Sequence, residues 1–433
     1  MVAHNTINAS FSPINDRTKA LLYFFLNCLV LVAFVDPADQ IFHLKTPLFA
    51  LIVLLWIART IMFGASFKLK HLTLLVLTAS IIPIFWTIVG ILNANANVGE
   101  HALDTLKSFS FLLLLLIVLQ ERIDLKMICI QQSIWVAVLT CGLVLVNYFS
   151  PIVFATLYAF SLEKQNAMIT VSRDPLGIGV GSFYYKTSAV LVLSYGYYLA
   201  RYLFHKKTWH SFLLTLLFFS ALLLSGARAN IIATALISIV IMTLKIRRSI
   251  GLYPAYIAAL VFILAIGGLY TKKFLNPQET SNTVKLGHFE SYIALFEEHP
   301  LYFAFGQGVN TSFYSSGFEK MTTITELSYF ELIRQFGLCI FAIQCFLLIA
   351  PIYLLAKRHF PDKDSYLIPS YIGYIFIAGT NPLLVSSTGL LIIVAYWETA
   401  LQIYRDNLAP AKNLSYKADN RTLGKAKFDV GDK

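Results

Sequence analysis

The chain alternates long apolar runs with shorter polar connections, and the length of the runs decides what they are. A helix rises about 1.5 Å per residue, so a hydrocarbon core of about 30 Å takes roughly 20 apolar residues to cross. By that measure the sequence holds twelve candidate spans: 20–35, 46–65, 71–92, 104–119, 127–149, 185–204, 209–225, 228–245, 251–270, 326–356, 365–380 and 383–404. The predicted fold class is an all-α polytopic membrane protein, one integral membrane domain over residues 1–433. The first run ends in Asp36-Pro37-Ala38-Asp39 without a small-x-small cleavage pattern, so it is expected to be a retained span.

The connections differ in length and charge. Two are long and polar, roughly 150–184 between spans five and six and roughly 271–325 between spans nine and ten, and both are odd-numbered. The even-numbered ones are basic, with Arg59, Lys68 and Lys70, then Arg122 and Lys126, then Arg201, Lys206 and Lys207, and so on to the basic tail 405–433. Lys and Arg mark the cytoplasmic side. Both termini are therefore expected inside and both long connections outside. Long connections in a compact domain usually carry function, so the chemistry is expected on the outer face.

Composition narrows the class further. The chain is 57% hydrophobic and 13% charged, with a mean hydropathy of +0.68. Soluble proteins carry about a quarter charged residues, and a chain this apolar does not stay solvated as a coil. The net charge of +11 would suggest nucleic acid if it formed one patch. It is dispersed between apolar runs, so it reads as an orientation signal, no nucleic-acid partner is expected, and the tail reads as an end drawn to water or to anionic membrane lipids. The five cysteines, Cys28, Cys129, Cys141, Cys339 and Cys345, lie in apolar segments with no CxxC pair, so neither disulfides nor zinc are expected.

Charged groups near membrane depth cost about 2.5 to 3.5 kcal/mol on insertion scales, so each one needs a reason. Arg228, in Ser225-Gly226-Ala227-Arg228-Ala229-Asn230, has almost no connection to float in. Two readings fit it: an interfacial anchor, or a guanidinium holding a lipid-linked diphosphate bidentately. Arg173 precedes three glycines in Arg173-Asp174-Pro175-Leu176-Gly177-Ile178-Gly179-Val180-Gly181, which suits either a phosphate site or a flexible turn with an Arg173–Asp174 pair. Around Lys285 and His288, the spacing of Phe289, Tyr292, Ile293 and Phe296 predicts a short amphipathic helix on the outer face. His288 is either a titrating donor or polar filler. At the start of span ten, Glu326 shares a helical face with Tyr329, while Glu331 and Arg334 are spaced as an i, i+3 pair. A carboxylate there is explained by the helix dipole, and it is also placed to take a proton from a sugar hydroxyl.

In their order these pieces resemble the bacterial Wzy-type O-antigen polymerases, within the O-antigen polymerase and ligase superfamily. The pieces are Arg173-Asp174-Pro175-x-Gly177, Ser225-Gly226-Ala227-Arg228, the stretch from Lys285 through His299-Pro300 to Gly306-x-Gly308, and Glu326 through Gly337. The resemblance implies a GT-C-like membrane glycosyltransferase in the bacterial inner membrane, with about twelve helices and a large periplasmic loop between helices nine and ten. Its substrate would be an undecaprenyl-diphosphate-linked oligosaccharide, with a chain-length regulator and a flippase of the same pathway as possible partners. It implies diphosphate-holding roles for Arg228 and for a second cation, where Lys285 stands in place of the usual arginine and competes with His288.

By the same resemblance Glu326, Arg228 and His288 are the expected catalytic groups, and Arg173, Lys285, Tyr292, Tyr329 and Arg334 the expected substrate contacts. No cofactor is expected, and the lack of a DxD-like acidic pair in the outer connections points to metal-independent transfer. The ligase branch usually has a histidine eleven residues before the glycine that Gly337 resembles, where this chain has Glu326; that departure favours polymerase over ligase. A lipid-linked sugar transporter is the remaining alternative, and it calls for two related halves that the connection pattern lacks.

Overall fold

The computed structural model describes residues 13–64, 70–93, 98–164, 169–170, 182–205, 207–246, 257, 261, 280–357 and 364–404. Helices dominate it. In chain order they are α1 (Pro13–Val35), α2 (Lys45–Phe63), α3 (Lys70–Leu92), α4 (Val98–Ser110), α5 (Leu114–Glu121), α6 (Leu125–Phe149), α7 (Pro151–Glu163), α8 (Leu191–Ala200), α9 (Trp209–Leu224) and α10 (Arg228–Ile246). They continue with α11 (Thr280–Glu298), α12 (Pro300–Phe305), α13 (Ser328–Ala356) and α14 (Leu367–Gly379), and α15 covers residues 387–404. Two short antiparallel pairs accompany them: β1 (Ile169–Thr170) with β2 (Tyr184–Tyr185), and β3 (Phe313–Ser315) with β4 (Lys320–Thr322), the latter pairing Phe313 with Thr322 and Ser315 with Lys320.

Six stretches among the described residues are long and apolar enough to cross a membrane: Arg17–Val35, Lys45–Phe63, Leu103–Glu121, Leu125–Phe149, Arg228–Lys245 and Ser328–Ala356. Shorter apolar helices accompany them, including Val76–Leu92, Trp209–Leu224 and Leu367–Gly379. Their outward faces are apolar, with Ile61, Phe85 and Phe346 all exposed. Exposed apolar faces on this scale need a hydrocarbon solvent, and the architecture is that of an all-α membrane protein.

At the centre α6 packs against α1, α7, α8 and α9, and α8 lies between α9, α10 and α14. Small residues set these distances. Gly196 of α8 lies so close to Tyr366 and Ser370 that a Cβ there would run into the Ser370 hydroxyl, and Gly373 of α14 packs on Ala233 and Ile237 of α10. Without a hydrophobic force between helices in lipid, such close approach is a main source of attraction.

Three expectations change. Span six does not start at residue 185, because Tyr184 and Tyr185 form a strand; helical structure begins at Ser188, where the Thr187 hydroxyl donates to Phe34 O at 2.7 Å. The connection at 150–184 is polar only in part, since Pro151 starts α7, an apolar helix of 13 residues and too short to cross alone. On α11 the buried stripe is His288 and Tyr292, while Phe289 and Ile293, expected on it, are each 40% exposed. The helix meets the β3–β4 hairpin and α13 through mixed contacts: His288 bonds Ser315 and packs on Phe318, and Tyr292 stacks on Phe313 and Phe330, so the covered stripe is the one that offers both rings and hydrogen-bonding groups. Span nine (251–270, apart from residues 257 and 261), the tail 405–433 and the Arg173 loop lie outside the described residues.

The basic ends of the helices meet one another. Arg59 forms a buried ion pair with Glu121 at 2.7 Å and also donates to the Thr18 hydroxyl, joining the starts and ends of α1, α2 and α5. Lys245 at the end of α10 stands 5.2 Å from the Phe204 ring just beyond α8.

Candidate functional site

A cavity of about 670 Å³ opens where the other set of connections meets. Its walls are Pro37 and Ala38 after α1, Ser182, Tyr184 and Lys186 before α8, residues 225–229 between α9 and α10, and Thr380 to Leu383 with Ser386 after α14. Ser281 and Lys285 of α11, Phe318 of the hairpin turn, and Ile324 to Glu326 before α13 complete it. Every one of these segments is an odd-numbered connection or borders one. The charged groups on its wall, among the described residues, are Lys186, Arg228, Lys285 and Glu326.

Arg228 is placed by a tight corner. Gly226 takes φ 63°, the left-handed conformation that ends α9, and its N–H donates to Leu223 O at 3.1 Å. The corner is held by Asn230, whose amide donates to Ser225 Oγ at 2.9 Å and to Ser188 Oγ at 2.8 Å. Arg228 then opens α10 and donates to Asn282 Oδ1 of α11 at 2.9 Å. Lys285, one turn further along α11, has its Nζ 3.8 Å from Glu326 Oε2 and 3.4 Å from Thr380 O. Glu326 is two residues before α13, not inside it. Two of the residues singled out in the sequence thus face each other across the same wall as Arg228.

His288 stands one layer behind that wall. Its ring is fully buried, its Nδ1 is 2.6 Å from Ser315 Oγ, and it packs edge-on against Phe318, which lines the cavity. Burial pushes its pKa below the ordinary histidine value, against the smaller upward pull of Glu326 and Glu331. A neutral imidazole follows at neutral pH. Gly317 makes this packing possible: a Cβ there would lie 2.7 Å from His288 Nδ1, and one on Gly287 would lie 2.5 Å from the Gly317 nitrogen.

Tyr292, Tyr329 and Arg334, expected as substrate contacts, are not among the cavity-lining residues. The Tyr292 hydroxyl donates to Glu331 Oε2 at 2.6 Å and lies 2.7 Å from Thr325 Oγ1. Arg334 is fully buried: Nη2 reaches Glu331 Oε1 at 2.5 Å, Nη1 reaches Gln307 Oε1 at 2.6 Å and Thr311 O at 2.8 Å, and the guanidinium lies 4.6 Å from the Phe313 ring. The Tyr329 hydroxyl donates to Ile375 O at 3.0 Å. These groups spend their hydrogen bonds on tying the large connection to α13 and α13 to α14. That is a scaffolding task, performed away from the cavity wall.

Sequence reading also passed over Lys186, Tyr184 and Asn381. Burial and the nearby Glu326 carboxylate both push the Tyr184 phenol upward, which keeps it a neutral donor. The available signal is the alternation Ser182-x-Tyr184-x-Lys186, hidden because an apolar run of span length also begins at 185.

No protein-family model matches the chain, and no curated protein matches it in sequence.

Proposed function

We propose that this protein is a membrane glycosyltransferase that joins undecaprenyl-diphosphate-linked oligosaccharide repeats into O-antigen or a related surface polysaccharide. In this reading the chain crosses the bacterial inner membrane twelve times with both termini in the cytoplasm, and the cavity faces the periplasm. The observation that carries it is the convergence of Arg228, Lys285 and Glu326 on one cavity built from odd-numbered connections, opposite the basic ones.

The chemistry asked of the cavity is simple. The acceptor hydroxyl oxygen forms a bond to the anomeric carbon of the donor sugar as the bond from that carbon to the diphosphate oxygen breaks. The electron pair leaves with the diphosphate, whose growing charge the cations stabilise in a partly dehydrated site. The hydroxyl proton passes to Glu326, the carboxylate on the wall. Lys285 Nζ stands 3.8 Å from its Oε2.

The test is purified protein in proteoliposomes given lipid-linked repeat alone. A ladder of polymers without nucleotide sugar supports the reading, and its disappearance in Arg228→Ala protein of unchanged folding assigns the site. Translocation of the lipid without new glycosidic bonds, or a normal ladder in that variant, defeats it.

A further inference from the structure

We propose that Lys186 and Arg228 are the two cations that hold the lipid-linked diphosphate, and that Lys285 instead serves Glu326. This rests on the glycosyltransferase reading and deepens it by naming the diphosphate-binding pair.

Tyr184 and Tyr185 form a strand, and Lys186 and Thr187 make the turn that follows it. Ser182, Tyr184 and Lys186 line the cavity. Tyr185 and Thr187 point the other way, their hydroxyls donating to Val35 O and Phe34 O at the end of α1. Lys186 is thus turned into the cavity by anchors on both neighbouring residues.

The same stretch is clamped to the Arg228 corner at two points. Phe183 N–H donates to Leu224 O at 3.1 Å, and Asn230 donates to Ser188 Oγ at 2.8 Å. Phe183 and Ser188 bracket Lys186; Leu224 and Asn230 bracket Arg228. Two short segments, fastened to each other at both ends, therefore present one cation each to one cavity. That is the preorganisation a bound anion rewards, because little ordering remains when it arrives.

Charge balance points the same way. A diphosphate joined to a lipid and a sugar carries two negative charges, and Lys186 with Arg228 supplies two positive ones. Among the described residues no ion pair or hydrogen bond engages Lys186. Lys285 already stands between Glu326 Oε2 and Thr380 O, and drawing it onto phosphate would leave the base without its cation. His288 is screened from the cavity by Phe318. A lysine acts as a point charge where an arginine forks, so the pair would hold one phosphate bidentately through Arg228 and the other through Lys186.

The experiment is titration of the full-length protein in detergent with farnesyl diphosphate and farnesyl monophosphate, beside turnover of lipid-linked repeat in proteoliposomes. Wild-type protein is expected to prefer the diphosphate. Lys186→Gln should weaken diphosphate binding about tenfold and abolish the preference, Lys186→Arg should restore both, and Lys285→Gln should change diphosphate affinity less than about threefold while lowering turnover. Wild-type-like binding by Lys186→Gln, or a larger loss in Lys285→Gln, overturns the assignment and leaves the glycosyltransferase reading standing. Wild-type protein with no preference for diphosphate overturns both.

Discussion

Gly306 and Gly337 meet backbone to backbone: a Cβ on Gly306 would lie 2.5 Å from Gln335 O, and one on Gly337 would run into Ala304 O. Both residues have positive φ, 87° and 77°, and Gly337 interrupts α13 with non-helical dihedrals. The break deprives Arg334 O and Gln335 O of their usual helical donors. The N–H groups of Gln307 and Gly308 replace them, at 2.6 and 3.1 Å. Only glycine allows both the dihedrals and the approach. Gly337→Ala is expected to destabilise the protein by about 1–3 kcal/mol or more, seen as a lower midpoint in thermal unfolding in detergent. An unchanged midpoint would contradict the packing.

Arg334 and Glu331 form a buried pair in the first turns of α13, with both side chains almost wholly out of solvent. Removing one partner leaves the other charge buried, at a cost of about 3–5 kcal/mol. Arg334→Met should therefore unfold far more readily than Arg334→Met combined with Glu331→Gln. Size-exclusion profiles after a heating series would show the order. If Arg334 were instead a substrate contact, Arg334→Met would keep wild-type stability and lose activity alone.

Glu326 is partly exposed and makes one long ion pair, so its replacement should leave stability nearly unchanged. Under the proposed mechanism Glu326→Gln keeps the shape and removes the base. Polymer formation is expected to fall by about 10² to 10⁴-fold, the usual contribution of a general base. Rates measured in proteoliposomes within a few-fold of wild type would remove Glu326 from the mechanism.

His288 links stability to pH. Its folded-state pKa lies below the ordinary value near 6.5, so the unfolded chain binds the proton more readily. The contribution is present above that value and is lost as pH falls through it. Thermal midpoints of wild-type protein should drop between about pH 7 and pH 5, and His288→Gln should flatten that part of the profile. A profile that keeps its slope in the variant would place the titration elsewhere.

The helices were legible because apolar runs of about 20 residues have few other uses. Arg228, Lys285 and Glu326 were legible as candidates because charge beside such runs is costly. Lys186 was not, since its meaning depends on a two-residue strand that an apolar run conceals. The covered face of α11 is hidden for a related reason: amphipathicity says which stripe is apolar, not which stripe the neighbouring elements cover. Arg334 and Tyr292 look the same in sequence as residues that meet a substrate, and only the positions of Gln307, Thr311, Thr325 and Glu331 reveal that their bonds are already made.

The loop 306–308 completes the backbone hydrogen bonding of a membrane helix that its own sequence interrupts. Lifting that loop would strip two carbonyls of α13 bare, so it cannot swing as an independent lid. Trp86 and Asn93 at the end of α3 also bond to it, through Phe305 O and Gln307 O at 2.8 and 2.7 Å. The loop is thus a fixed joint between α3 and α13, and a displacement of either helix has to carry the other with it.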